Sequence, residues 1–159
     1  MKFDEIKSYA KVNIHLSTLG IYSSNYHKVE SLICFTNLHD EIKVNQNNKS
    51  VHVVKFYGKY GKQVPSQNTV TCLLKLIDKK QLFRGKTFDI KIKKNIPLQS
   101  GMGGGSMNAA SLIRYFLKKK ILKLNTKEIN KLCFKIGSDV ILGLDNKLKI
   151  IKGKKKIIK

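Results

Sequence analysis

Pro97-Leu98-Gln99-Ser100-Gly101-Met102-Gly103-Gly104-Gly105-Ser106-Met107-Asn108-Ala109-Ala110 decides the reading of this chain. It follows an alternating run, Thr87-Phe88-Asp89-Ile90-Lys91-Ile92-Lys93, and it opens a helix-like run from Ser106 to about Lys120. A strand, a glycine-rich loop and a helix are the layout of a phosphate cradle. Glycines let backbone N–H groups turn inward and let a phosphate approach without Cβ clashes. The first turn of the helix adds unpaired donors and the positive end of its dipole. Ser106 stands where an N-cap belongs, and its hydroxyl suits a phosphate or a magnesium ion. No Gly-Lys-Ser/Thr follows the glycines, so this is not the Walker A pattern. It also lies too late in the chain, and lacks the third glycine, for the dinucleotide fingerprint. On glycine content alone, a flexible strand-to-helix connection remains the alternative to an anion site.

The surrounding composition narrows the class. At 159 residues and 42% apolar content, the chain suits one domain with a genuine core. It has no apolar run of about 18 residues, so no membrane-spanning helix is expected. The charged start, Met1-Lys2-Phe3-Asp4-Glu5-Ile6-Lys7, does not read as a secretory leader, and a cytoplasmic protein is expected. Cys34, Cys72 and Cys133 are scattered among apolar runs and read as buried thiols, not as a disulfide or metal framework. The formal net charge is +22, yet the only arginines are Arg84 and Arg114. Lysines spread along the whole chain, with abundant Asn and Ile, fit compositional drift. A nucleic-acid partner would favour clustered arginine. Nucleic acid and membrane are therefore not the expected partners.

Read in order, Ile6–Leu16 is a strand with Lys11 and Asn13 on one face. Short strands follow at Val29–Phe35, Glu41–Val44 and Val51–Phe56. A helix starts near Asn68, capped there or at Thr69. Gln81–Lys86 is a turn. Asn125-Thr126-Lys127-Glu128 has the form of a capping box, and its helix ends at Gly137. Gly137-Ser138-Asp139-Val140 places a carboxylate just past a helix C-terminus, where the dipole offers it nothing. His15, His39 and His52 are read as structural. The architecture is α+β, a mostly antiparallel sheet with packed helices. It fills residues 1–150, and 151–159 forms a basic tail.

Three blocks stand in one order: Ser8-Tyr9-Ala10-Lys11-Val12-Asn13-Ile14 with Asn25-Tyr26-His27, then Pro97 to Ala110, then Gly137-Ser138-Asp139-Val140. Together they resemble the GHMP kinases. Within them they resemble the branch that phosphorylates a cytidine diphosphate conjugate of methylerythritol in non-mevalonate isoprenoid synthesis. The resemblance implies the N-terminal ATP-binding domain of that family, whose fold is shared with a ribosomal-protein domain. It implies ATP and Mg2+ as cofactors, and Lys11 and Asp139 as the catalytic pair. Pro97, Gly101, Gly103, Gly104, Gly105, Ser106 and Asn68 would hold the nucleotide. Asn13, Tyr26 and His27 would contact the small-molecule substrate. No protein metal ligand is expected.

Several residues depart from the family pattern. Asn25 stands for glycine, Tyr9 for proline, Gln99 and Ser100 for small residues, Met107 for serine and Ile141 for proline. Family members are also roughly twice as long, and their C-terminal domain closes the ATP cleft. The expectation is therefore a kinase domain without its C-terminal half, active alone or with a separately encoded second half. A non-catalytic remnant and a basic RNA-binding half-domain are the alternatives.

Overall fold

The computed structural model describes residues 3–21, 27–153 and 156–158, with side chains placed except at 18–29 and 153–159. Its spine is one long strand. β1 (Asp4–Ile21) pairs antiparallel along nearly all of β2 (His27–Asn47). The other edge of β2 is shared in succession. Residues 41–47 pair with β4 (Thr87–Lys93), and residues 29–33 pair with β5 (Lys149–Gly153). β3 (Val53–Tyr57) lies parallel to β4, and β6 (Lys156–Ile158) pairs with β5. The sheet is thus mostly antiparallel, as expected. The segment from residue 151, expected as a tail, instead supplies the end of β5 and all of β6.

Two separate strands were expected where β2 runs unbroken. The break read at 36–40 is a register slip. Tyr9 pairs with His39 and Lys11 with Phe35, so three residues of β2 stand opposite Ala10 alone. Such bulges bend a strand and re-aim its backbone without ending it. Here the slip frees the Lys11 N–H, which donates to Met102 O in the glycine loop at 2.9 Å.

Three helices cover one face of the sheet. α1 (Thr69–Lys79) is capped by Asn68, whose Oδ1 accepts from the N–H groups of Val70 and Thr71. α3 (Thr126–Ile136) carries the expected box, with Asn125 and Glu128 each accepting the other's N–H at 3.0 and 2.9 Å. Both caps satisfy donors that a bare helix start leaves open. α2 (Gly104–Lys118) lies between them. Alternate residues of the sheet, Ile42, Val44, Ile90 and Ile92, pack against Leu73, Ile77, Leu112, Ile113 and Phe116 in one core. Phe83, Phe88 and Phe116 meet with ring centroids 5.0–5.2 Å apart in tilted and edge arrangements, the geometry aromatic quadrupoles favour. His52 stacks on Phe88 and accepts its N–H, donating from Nε2 to Asp78.

Cys133 is buried, and burial pushes its thiol up to about 11. Cys34 and Cys72, expected to be buried, are only partly so, because the edges of β2 and α1 that carry them are not fully covered. Among the described residues, no helix is long and apolar enough to cross a membrane, and no group of three His, Cys, Asp or Glu side chains could hold a metal ion.

Candidate functional site

The glycine loop forms the wall of a cavity of about 400 Å³. Pro97, Gly101, Gly103, Gly104, Gly105, Ser106 and Asn68 all line it. Seven residues singled out from the sequence are thus brought together on one concave surface.

One local expectation changes. α2 begins at Gly104, with Gly103 as its N-cap at φ 64°. Ser106 is therefore in the first turn and does not cap it. The reason is steric. The left-handed turn at Gly103 lies against Lys11, whose Cε is 3.3 Å from where a Cβ would stand, so a serine cap has no room there. The change enlarges the cradle. The N–H of Met107 is bonded back to Gly103 O at 2.8 Å. By helix geometry, the N–H groups of Gly104, Gly105 and Ser106 then have no intrahelical partner. They sit at the positive end of a 15-residue helix, where an anion is favoured. Ser106 Oγ stands 3.9 Å from the Cβ position of Gly137, next to the segment that carries Asp139.

Lys11 arrives from β1 and Asp139 from the turn after α3. Their ion pair is 3.3 Å long. The Lys11 side chain is 6% exposed and that of Asp139 is 43% exposed. The cation is therefore fixed in the protein while the carboxylate faces solvent. Asp139 opens a 3-10 turn, Val140–Leu144, but its side chain makes no cap bond, which leaves the carboxylate for other work. Lys11 Nζ also donates to Asn13 Oδ1 at 3.2 Å, as their shared strand face predicts. Lys11, which packs against Gly103, thus gathers Asn13 and Asp139 around its ammonium. Three distant segments converge on a carboxylate, an ammonium and a row of free amides. That set can accept a proton, balance developing negative charge and hold phosphate oxygens.

Other expectations fare differently. Asn68 lines the cavity, but its amide is engaged. Oδ1 caps α1 and Nδ2 donates to Pro65 O at 2.9 Å. Tyr26 lies outside the described residues. His27 opens β2, with its side chain outside them. Among the lining residues that escaped the sequence reading are two with polar side chains buried in the wall, Lys94 and Asn108. Asn108 is 1% exposed, and its Oδ1 has no partner among the described residues. Its place directly after Ser106-Met107 was the only available signal. Lys94 was hidden among many lysines.

Gln99, flagged as a departure, adopts φ 56°, a left-handed backbone that costs a side-chain-bearing residue about 1–2 kcal/mol. Among the described residues, its exposed side chain has no hydrogen bond to offset that. Gln99→Gly is expected to stabilise the chain by about 0.5–1 kcal/mol, after the entropy that glycine adds to the unfolded state. Urea unfolding measures this, and an unchanged or lower midpoint would show that the loop carries no such strain.

Comparison with known proteins bears on this geometry. Residues 68–153 match the N-terminal domain of the GHMP kinases. The chain is 46% identical over 147 residues to the 4-diphosphocytidyl-2-C-methyl-D-erythritol kinase of Pelagibacter ubique, covering 92% of this chain and 52% of that protein. It is 33% identical to the same-named kinase of Thermotoga maritima, covering 97% and 54%. Among solved structures, a 4-(cytidine 5'-diphospho)-2C-methyl-D-erythritol kinase superposes with a TM-score of 0.77 at 23% identity, over 98% of this chain and 54% of that one. Methanococcus jannaschii mevalonate kinase gives 0.68 at 16% identity, over 99% and 56%. At such identities the solved structures speak for the fold. The chain spans about half the length of the curated relatives it matches.

Proposed function

The chain belongs to the GHMP kinases, through their N-terminal domain, and from that premise we propose that it is the ATP-binding half of a kinase acting on 4-diphosphocytidyl-2-C-methyl-D-erythritol, in isoprenoid biosynthesis. The observation that carries this is the Lys11–Asp139 pair, 3.3 Å long, whose lysine packs against Gly103 of the amide cradle.

The cradle fits a nucleotide on its own chemistry. It offers unpaired amides at a helix start, glycines that leave room for phosphate oxygens, and a hydroxyl at Ser106. Magnesium keeps several waters and needs few protein ligands when phosphates supply the rest, so the Ser106 hydroxyl beside those phosphates suffices on the protein side. Bound magnesium-ATP would supply the transferable phosphoryl group and charge neutralisation at its oxygens. Gly101, Gly103, Gly104, Gly105 and Ser106 hold and align those phosphates, with Pro97 and Asn68 on the cavity wall. The Asp139 carboxylate takes the proton of the substrate hydroxyl as that oxygen bonds to phosphorus and the bond to the ADP oxygen breaks. Lys11 balances the negative charge that gathers on the attacking oxygen. Asn13 orients Lys11 and contacts the substrate, whose cytosine ring is assigned to Tyr26 and His27.

One further reading is a domain that binds nucleotide but does not turn it over by itself. Phosphoryl transfer depends on positioning and water exclusion. The test is ADP formation by the purified chain with magnesium-ATP, with and without the cytidine-diphospho substrate, alongside calorimetric ATP binding. Substrate-dependent ADP formation is expected. ATP binding without turnover would favour the second reading, and no ATP binding would sink both.

A further inference from the structure

Beneath the cradle lies a charged floor to which the catalytic roles above assign nothing. Asp40, from β2, is 0% exposed. Its carboxylate accepts from three donors: the ammonium of Lys94, and the N–H groups of Asn95 at 2.8 Å and Ile96 at 2.9 Å. Lys94 is 3% exposed, yet its side chain lines the cavity. The Cβ position of Gly104, the first residue of α2, is 3.1 Å from Lys94 Nζ and 3.1 Å from Ile96 Cγ2. The two residues on which the cradle rests are thus both clamped by one buried carboxylate.

This arrangement is expensive as a purely structural device. A buried ion pair replaced by apolar side chains of similar shape is often neutral or stabilising. A lysine ammonium also sits at the wrong end of the α2 dipole. An anion above the helix start offsets both penalties. The pair is oriented for that, with the ammonium against the cavity and the carboxylate behind it. The orphan Oδ1 of buried Asn108, in the same cavity, is a second sign that the pocket is completed by a ligand. We propose that Asp40 is a positioning residue, which presents the Lys94 ammonium through the buried pair to a polyphosphate held at the start of α2. This rests on the phosphate-cradle reading given above.

The test uses inorganic tripolyphosphate as the probe and the double variant Asp40→Asn with Lys94→Met. Side-chain shape is largely kept, and an asparagine oxygen still accepts the Asn95 and Ile96 amides. The melting temperature should stay close to that of the wild type. The dissociation constant should rise about tenfold at low salt, with the gap narrowing at high salt, because a charge-assisted contact is what has been lost. Equal affinity in both proteins, or a loss equally large at low and high salt, overturns the proposal and leaves the cradle standing. If neither protein binds tripolyphosphate, the cradle reading falls and this proposal with it. Should the double variant fail to fold, Asp40→Glu keeps both charges but displaces the ammonium. Weaker, salt-sensitive binding by that variant supports the assignment, and unchanged binding overturns it.

Discussion

Asp139→Asn is expected to lower phosphoryl transfer by about 10²–10⁴-fold, the usual worth of a positioned general base, while ATP binding stays unchanged. The side chain is 43% exposed and makes no cap bond to its own turn, so the fold should not register the change. The cradle amides are on α2 and do not depend on it. An asparagine keeps the size and one acceptor oxygen beside Lys11, and it removes the proton acceptor. The loss should therefore fall on kcat and spare KM for ATP. Steady-state kinetics of both proteins, with calorimetric ATP binding, separate these quantities. Equal kcat in wild type and variant would remove Asp139 from the chemistry. A kcat loss matched by an equal loss of nucleotide affinity would make it a structural residue.

Gly143→Val is expected to destabilise the fold by about 3 kcal/mol, the upper part of the range for overpacking a close-packed site, and to open the Lys11–Asp139 pair. A Cβ on Gly143 would meet Ala110 Cβ at 2.7 Å and Met107 Sδ at 2.8 Å. Ala110 is fully buried within α2 and has no rotamer by which to yield. The turn Val140–Leu144 must then lift away from α2. Asp139 sits at the start of that turn and would move with it, away from a Lys11 held by β1. Urea unfolding reads the first effect, and turnover relative to the wild type reads the second. A stability loss without any change in kcat would show that the turn can shift without disturbing Asp139. No loss of stability would show that α2 accommodates the added volume.

Much of this site was legible in advance, for a local reason. Strand Thr87–Lys93, the Asn68 and Asn125 caps and the turn at 81–86 are set by periodicity and by side chains bonding to backbone a few residues away. The glycine loop announced its cavity because backbone freedom and anion chemistry are properties of a short stretch. Lys11 and Asp139 were different. Each alone is an ordinary strand lysine or turn aspartate, and only the order of three blocks singled them out.

What the amino-acid sequence determined by itself is therefore the cradle, the helices that flank it and the identity of the groups that gather there. The tertiary structure decided how they meet. It made β2 one strand with a slip at 36–38, because β1 pairs across the gap. It sent the Lys11 amide to Met102, and it set the N-cap of α2 at Gly103 instead of Ser106. It buried Asp40 beneath Lys94, 54 residues away in the chain. Register between distant strands and a buried charge pair depend on long-range pairing and solvent exclusion, and neither leaves a mark on a neighbouring residue.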